Sequence, residues 1–174
     1  MDFSHRKVSK VLWITDLNNE PLRNSKVHIA LKNHEFLFGC GAFEIIPYVI
    51  AKNPQFGENV PENLIKNLAA QSDIEAGINK WLDLFNYGTL PFYWGQYEKE
   101  EGKPNEAVLM EAAKFLQSKG VTVKGHPLCW HTVCADWLMK YDNETIMKKQ
   151  LERIDREVSG FKGVIDMWDV INEV

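Results

Sequence analysis

"VTVKGHPLCW" (Val121–Trp130) reads as a strand that runs out into His126, Pro127, Cys129 and Trp130. Polar and aromatic groups therefore collect at a strand end. The flanking segments are helical in pattern. Before it, Asn105–Lys119 has a capping Asn105, an apolar face of Val108, Leu109, Ala112, Ala113 and Leu116, and Gly120 as a stop. After it, Asn143–Ser159 places Ile146, Met147, Leu151, Ile154 and Val158 on one side and Gly160 past its end. "VIDMWDVIN" (Val164–Asn172) is the next strand.

Toward the N-terminus, "LFNYGTLPFYW" (Leu84–Trp94) gives a short strand and an aromatic loop, preceded by a helix between Leu64 and Leu84 that Gly77 is expected to interrupt. Residues 46–63 carry three of the seven Pro and read as a surface excursion. "FLFGCGAF" (Phe36–Phe43) suits a buried strand ending in a loop. Val11–Asp16 and Val27–Leu31 read as a β-hairpin punctuated by "NNEP" (Asn18–Pro21). After the hairpin, strand and helix alternate, which predicts an α/β fold with parallel strands and right-handed crossovers.

The 174 residues are 45% hydrophobic, enough for one core. The net charge of −4 is well mixed in sign, and no basic stripe points to nucleic acid. Three cysteines (Cys40, Cys129, Cys134) make no disulfide framework and are expected as mostly buried thiols. Met1–Lys7 lacks the apolar stretch of a signal peptide, and no run approaches membrane-spanning length. Gly39 and Gly41 lack the third glycine and acidic partner of a nucleotide fingerprint, so no nucleotide site is expected, and no cofactor is called for elsewhere.

In parallel α/β folds, reactive groups gather where strands end. Here those positions hold Asn86, "HPLCWH" (His126–His131) and Asn172-Glu173. A strand-end Glu by itself is more often a solvated carboxylate. With an amide, two histidines and a Trp beside it, the set suits a sugar. The amide bonds a hydroxyl, the Trp face stacks on the ring, and the Glu protonates a leaving oxygen.

"GHPLCWH" followed by "ADWL" (Ala135–Leu138) and "WDVINE" (Trp168–Glu173) resembles glycoside hydrolase family 10, mostly endo-β-1,4-xylanases on a (β/α)₈ TIM barrel. The resemblance runs from about Phe36 to Val174. It implies residues 1–35 as an N-terminal β-hairpin extension and 36–174 as the first half of the barrel, an incomplete one of about four βα units. It implies Glu173 as general acid/base, and Asn172 as the amide on the 2-hydroxyl of the sugar at the cleavage point. His126 and Trp130 would line that subsite, and His131 would support the carboxylates. The mechanism implied is retaining, with two carboxyls about 5–5.5 Å apart. Glu173 would be buried and its pKa raised above the ~4.3 of free Glu.

The loop "TLPFYW" (Thr89–Trp94) departs from the family, which carries Glu-Asn and a Lys there. Tyr93 and Trp94 should bind by stacking instead, which opens the substrate to decorated xylan or another β-glycan. Val133 stands where the family often has Gln. Family members tend to have a cis peptide after the first His of the motif. Pro127 follows His126 here, and cis costs only about 0.5–1 kcal/mol before Pro, so a cis His126-Pro127 bond is expected.

A full barrel needs eight strands and about 250 residues. The family's nucleophile lies near the seventh strand, so the chain is expected to be a truncated fragment that lacks the C-terminal half of the barrel and hydrolyses glycosides negligibly. The resemblance also implies an extracellular or periplasmic location. Two other readings exist. Structural zinc on His126, Cys129, His131 and Cys134 is disfavoured, because strand alternation puts 126 and 130 on one face and 129 and 131 on the other. A non-catalytic carbohydrate-binding protein keeps the cleft without the full machinery. Trp168 is read as barrel packing and Asp169 as a buried hydrogen-bonding residue.

Overall fold

The computed structural model describes residue 2 and residues 4–32, 35–57 and 71–173. The chain divides into two compact units, residues 1–34 and 35–174.

In the first unit the expected pair of strands is reduced to one antiparallel bridge, Thr15–Pro21. Asp16 organises the turn. Its Oδ1 accepts from the amides of Asn18 (2.8 Å) and Glu20 (2.9 Å), and these bonds hold its carboxyl below the usual carboxylate range. Residues 27–31 form no ladder. The reason is that Val11, Trp13, Val27 and Ile29 are all exposed, Trp13 at 86%. A two-stranded ribbon whose apolar side chains stay exposed is marginal.

The second unit holds four strands: β1 (Gly39–Gly41), β2 (Tyr87–Pro91), β3 (Thr122–His126) and β4 (Met167–Trp168). They are all parallel and lie in the order β1-β2-β3-β4. Sequential order without reversal is that of a (β/α)₈ barrel wall. A doubly wound sheet would reverse its order at a switch point. Helices α1 (Ile45–Lys52), α2 (Gln71–Leu84), α3 (Trp94–Tyr97), α4 (Glu106–Ser118) and α5 (Asn143–Gly160) fill the connections.

Strand alternation sorts the two faces. Leu90 and Val123 pack with Ile45, Ile46, Val108, Leu109, Ala112 and Leu116 in the core under the helices. Lys124 and His126 alternate with buried Val123 and Gly125, and so belong to the opposite, barrel-facing side. The expected apolar face of α4 is buried in full, and Gly120 closes the helix at φ +76°.

Four expectations need correction. Residues 46–52 are a helix, not a surface excursion, and bury Ile46, Val49 and Ile50. Pro47 is tolerated because it lies in the first turn, where its missing N–H has no partner to lose. Helix α2 continues through Gly77. Residues 58–70, which take in the ends of both expected segments, lie outside the described residues. Strand β1 is exposed, with Phe36 and Phe38 open to solvent, because no described strand covers its outer edge. Finally, α5 docks only in part through its apolar stripe, with Ile146 packed against the Trp94, Ala135 and Leu138 cluster. Met147 (68%) and Leu151 (62%) are exposed, while Arg153 (2%) and Glu157 (1%) are buried.

Gly125 pairs with Trp168 across β3 and β4. A Cβ at 125 would lie 2.2 Å from the Trp168 ring. That ring is wedged against Phe92 and Phe161 at centroid distances of 4.7 and 6.0 Å. Gly125→Ala should therefore lower the stability of this unit by about 1–3 kcal/mol, the usual cost of overpacking. An unchanged denaturant midpoint would show that the ring has room to move.

Candidate active site

The His126-Pro127 bond is cis, as Pro127 led us to expect. Past it, the β3 and β4 chains stay side by side. Asp169 N donates to Gly125 O (3.0 Å), Leu128 N to Asp169 O (2.9 Å) and Asn172 N to Cys129 O (2.9 Å). A parallel bridge joins Cys129 and Ile171. This ladder carries Trp130 on one chain and Asn172-Glu173 on the other to the same end of the sheet.

Tyr93, just past β2, meets them there. Its ring centroid lies 5.6 Å from both His126 and Trp130 and 6.3 Å from Phe43. Burial pushes the Tyr93 phenol up, and the negative charge of Glu173 adds to the shift. Glu173 has φ +50°, which places it in the left-handed region. Its side chain is exposed, where burial was expected. No described residue closes over it from the far side of the sheet end. Asn172 is half-buried.

Below the aromatic wall lies a charge relay. Asp169 Oδ2 sits 2.7 Å from His126 Nδ1 and 2.7 Å from Lys124 Nζ. Burial pushes the Asp169 carboxyl up, but the hydrogen bonds from Lys124 and His126 outweigh this and hold it below its ordinary value. The Asp169 bond raises the Lys124 ammonium in turn. With Nδ1 committed to the carboxylate, His126 presents Nε2 to whatever enters. Lys124 and Asp169 were missed as site residues. Lys124 could have been found, because it lies two residues before His126 and so shares its strand face.

A depressed carboxylate stabilises the fold above its unfolded pKa and stops doing so as pH falls through the folded value. The ordinary value for Asp169 is 3.8. The stability difference between the wild type and Asp169→Asn should therefore be full at neutral pH and shrink as pH drops below 3.8. A difference that stays constant across that range would remove the relay.

Three expected residues fall outside the cluster. Asn86 precedes β2 and so lies at the other end of the strand. Its side chain accepts from Phe38 N (2.8 Å) and donates to Phe36 O (3.0 Å). Trp94 turns away from Tyr93, is 5% exposed, and donates to Glu98 Oε2 at 3.0 Å. His131 opens a turn at His131–Val133 and is exposed, not packed behind the carboxylates. The cysteines are not the buried thiols expected, since Cys40 and Cys134 are exposed and Cys129 is half-buried. Among the described residues, no group of three His, Cys, Asp or Glu could hold a metal ion. No described helix is long and apolar enough to cross a membrane.

The family model described as "Glycosyl hydrolase family 10" matches residues 53–174. An endo-1,4-beta-xylanase/feruloyl esterase of Xylanibacter ruminicola is 33% identical over 97 residues, 51% of this chain and 13% of that protein. Endo-1,4-beta-xylanase A of Thermotoga maritima is 35% identical over 66 residues, 34% of this chain and 6% of that protein. Among solved structures, xylanase 10B from Thermotoga petrophila in complex with xylobiose superposes with a TM-score of 0.54 at 27% identity, covering 60% of this chain and 33% of that one. The matched part thus spans a third or less of each of these proteins.

Proposed function

The chain belongs to glycosyl hydrolase family 10, and from that premise we propose that residues 35–173 form the acid/base side of a cleft for xylan or a related β-1,4-glycan. The observation that carries this reading is the meeting of Tyr93, His126 and Trp130 at the strand ends, with the Glu173 charge reaching the Tyr93 phenol. The Tyr93 and Trp130 faces stack on a sugar ring, and His126 Nε2 and the Asn172 amide take hydroxyls. Glu173 protonates the glycosidic oxygen and then takes a proton from water.

A retaining cycle needs a second carboxylate about 5–5.5 Å away. Asp169 is committed to Lys124 and His126, and Glu98 and Glu157 are buried among other partners. None of these three is free to act as the nucleophile, and the 174 residues are expected to bind sugar and turn it over negligibly.

Titration of the 174-residue protein with xylohexaose, with product analysis, tests both parts. Saturable binding without hydrolysis is expected, and Trp130→Ala should weaken it at least about tenfold, as loss of a central aromatic anchor does. Hydrolysis that disappears in Glu173→Gln would overturn the expectation of negligible turnover. Absence of binding would overturn the cleft.

A further inference from the structure

Helix α5 turns a buried cation toward the strand ends. Arg153 is 2% exposed, and burial brings its guanidinium down to about 10, so it stays charged at neutral pH. Nη1 donates to Leu128 O and Nη2 to Phe92 O. The guanidinium carbon lies 5.1 Å from the Trp94 ring centroid and 5.8 Å from that of Tyr97. Gln150, one turn earlier, donates to the same Leu128 carbonyl at 2.9 Å.

Each of the two carbonyls sits just upstream of a cleft aromatic. Phe92 is the residue before Tyr93, and its own amide is tied to His126 O at 2.6 Å. Leu128 is two residues before Trp130, and the intervening Cys129 O receives Asn172 N. One planar fork thus links the peptide that aims Tyr93 to the peptide that aims Trp130. Through Cys129 it also braces the segment that carries Glu173. The neighbouring pairs hold the fork in place. Tyr97 donates to Glu157, and Arg156 Nη2 bridges Glu157 and Glu98 at 2.7 Å each.

We propose that Arg153 is a positioning residue that fixes the Tyr93–Trp130 aromatic pair, and with it the sugar-stacking geometry, from behind the sheet. The sugar half of this statement rests on the cleft proposed above, and the ring-fixing half does not. A lysine has the charge but a single ammonium on a flexible stem, and it cannot hold two carbonyls in one plane as a guanidinium does.

The test uses the whole chain labelled with 5-fluorotryptophan. The Trp130 ¹⁹F signal is assigned by Trp130→Phe. In Arg153→Lys the Trp130 signal should shift or broaden, while the signals of Trp13 and Trp81 stay put, and xylohexaose affinity should fall about tenfold. Arg153→Met should do the same more strongly. If Arg153→Lys leaves the Trp130 signal and the affinity unchanged and only lowers the thermal midpoint, Arg153 is merely structural and the proposal falls. If Arg153→Lys does not fold, Gln150→Leu, which removes a second donor to Leu128 O, must still move the Trp130 signal, or the proposal falls. If the wild type binds no xylohexaose, the cleft reading fails by itself, and the Trp130 signal still decides the positioning role.

Discussion

Phe92→Ala is expected to lower the stability of residues 35–173 by about 3–5 kcal/mol, the range for losing a buried aromatic side chain. Phe92 is fully buried. Its ring meets Trp168 at 4.7 Å, Phe161 at 5.1 Å and Tyr97 at 5.3 Å. Those rings come from β4, the end of α5 and the end of α3, so the hole left behind would have walls on three elements and little means of collapse. Small domains have about 5–15 kcal/mol in total, and this single change would take a large share of it. Urea unfolding followed by tryptophan fluorescence measures it. Phe92→Leu, which keeps most of the apolar volume, should lose clearly less. A loss under about 1 kcal/mol in Phe92→Ala would mean that the ring cluster contributes little.

Glu173→Gln should reduce hydrolysis of xylo-oligosaccharides by about 10²–10⁴-fold in any form of the protein that turns them over, the range for removing a general acid/base. The amide keeps the shape and the hydrogen-bonding reach but has no proton to give. The sign of the effect across substrates is the sharper test. A xyloside with an acidic phenol as leaving group needs no protonation, so its first step should be largely spared. Release of the bound sugar, which needs a base to activate water, should stay slow. If natural and activated substrates lose rate equally, Glu173 is not the proton donor.

Much of the second unit was readable because its signals are local. Asn105, Gly120 and the apolar face of α4 say where that helix starts, stops and points. The alternation of Thr122–His126 says which side chains share a face. The site was less readable for three physical reasons. A strand run does not announce its first residue, so Asn86 was placed at the wrong end of β2. In "FYW", alternation separates Tyr93 from Trp94, yet which one faces the cleft depends on Glu98, Trp137 and Arg153 packing behind Trp94. Arg153 and Glu157 look like surface charges on an amphipathic helix. Apart from Arg156 beside Glu157, the partners that bury them, Leu128, Phe92 and Tyr97, lie 25 to 61 residues away, which no local pattern can reveal. Asp169 is legible as a hydrogen-bonding residue, but its distant partners Lys124 and His126 are not.

The polar inner face of α5 has a thermal consequence. Exposing apolar surface raises heat capacity and exposing polar surface lowers it. A helix held by Arg153, Gln150 and Glu157 should therefore detach with a smaller heat-capacity increment than α4, whose buried face is wholly aliphatic. Aliphatic contacts weaken on cooling, whereas charge-assisted bonds to carbonyls need not. Near freezing, the attachment of α5 should hold its strength better than that of α4. Amide exchange rates of the two helices, followed from warm to cold, should diverge in that direction.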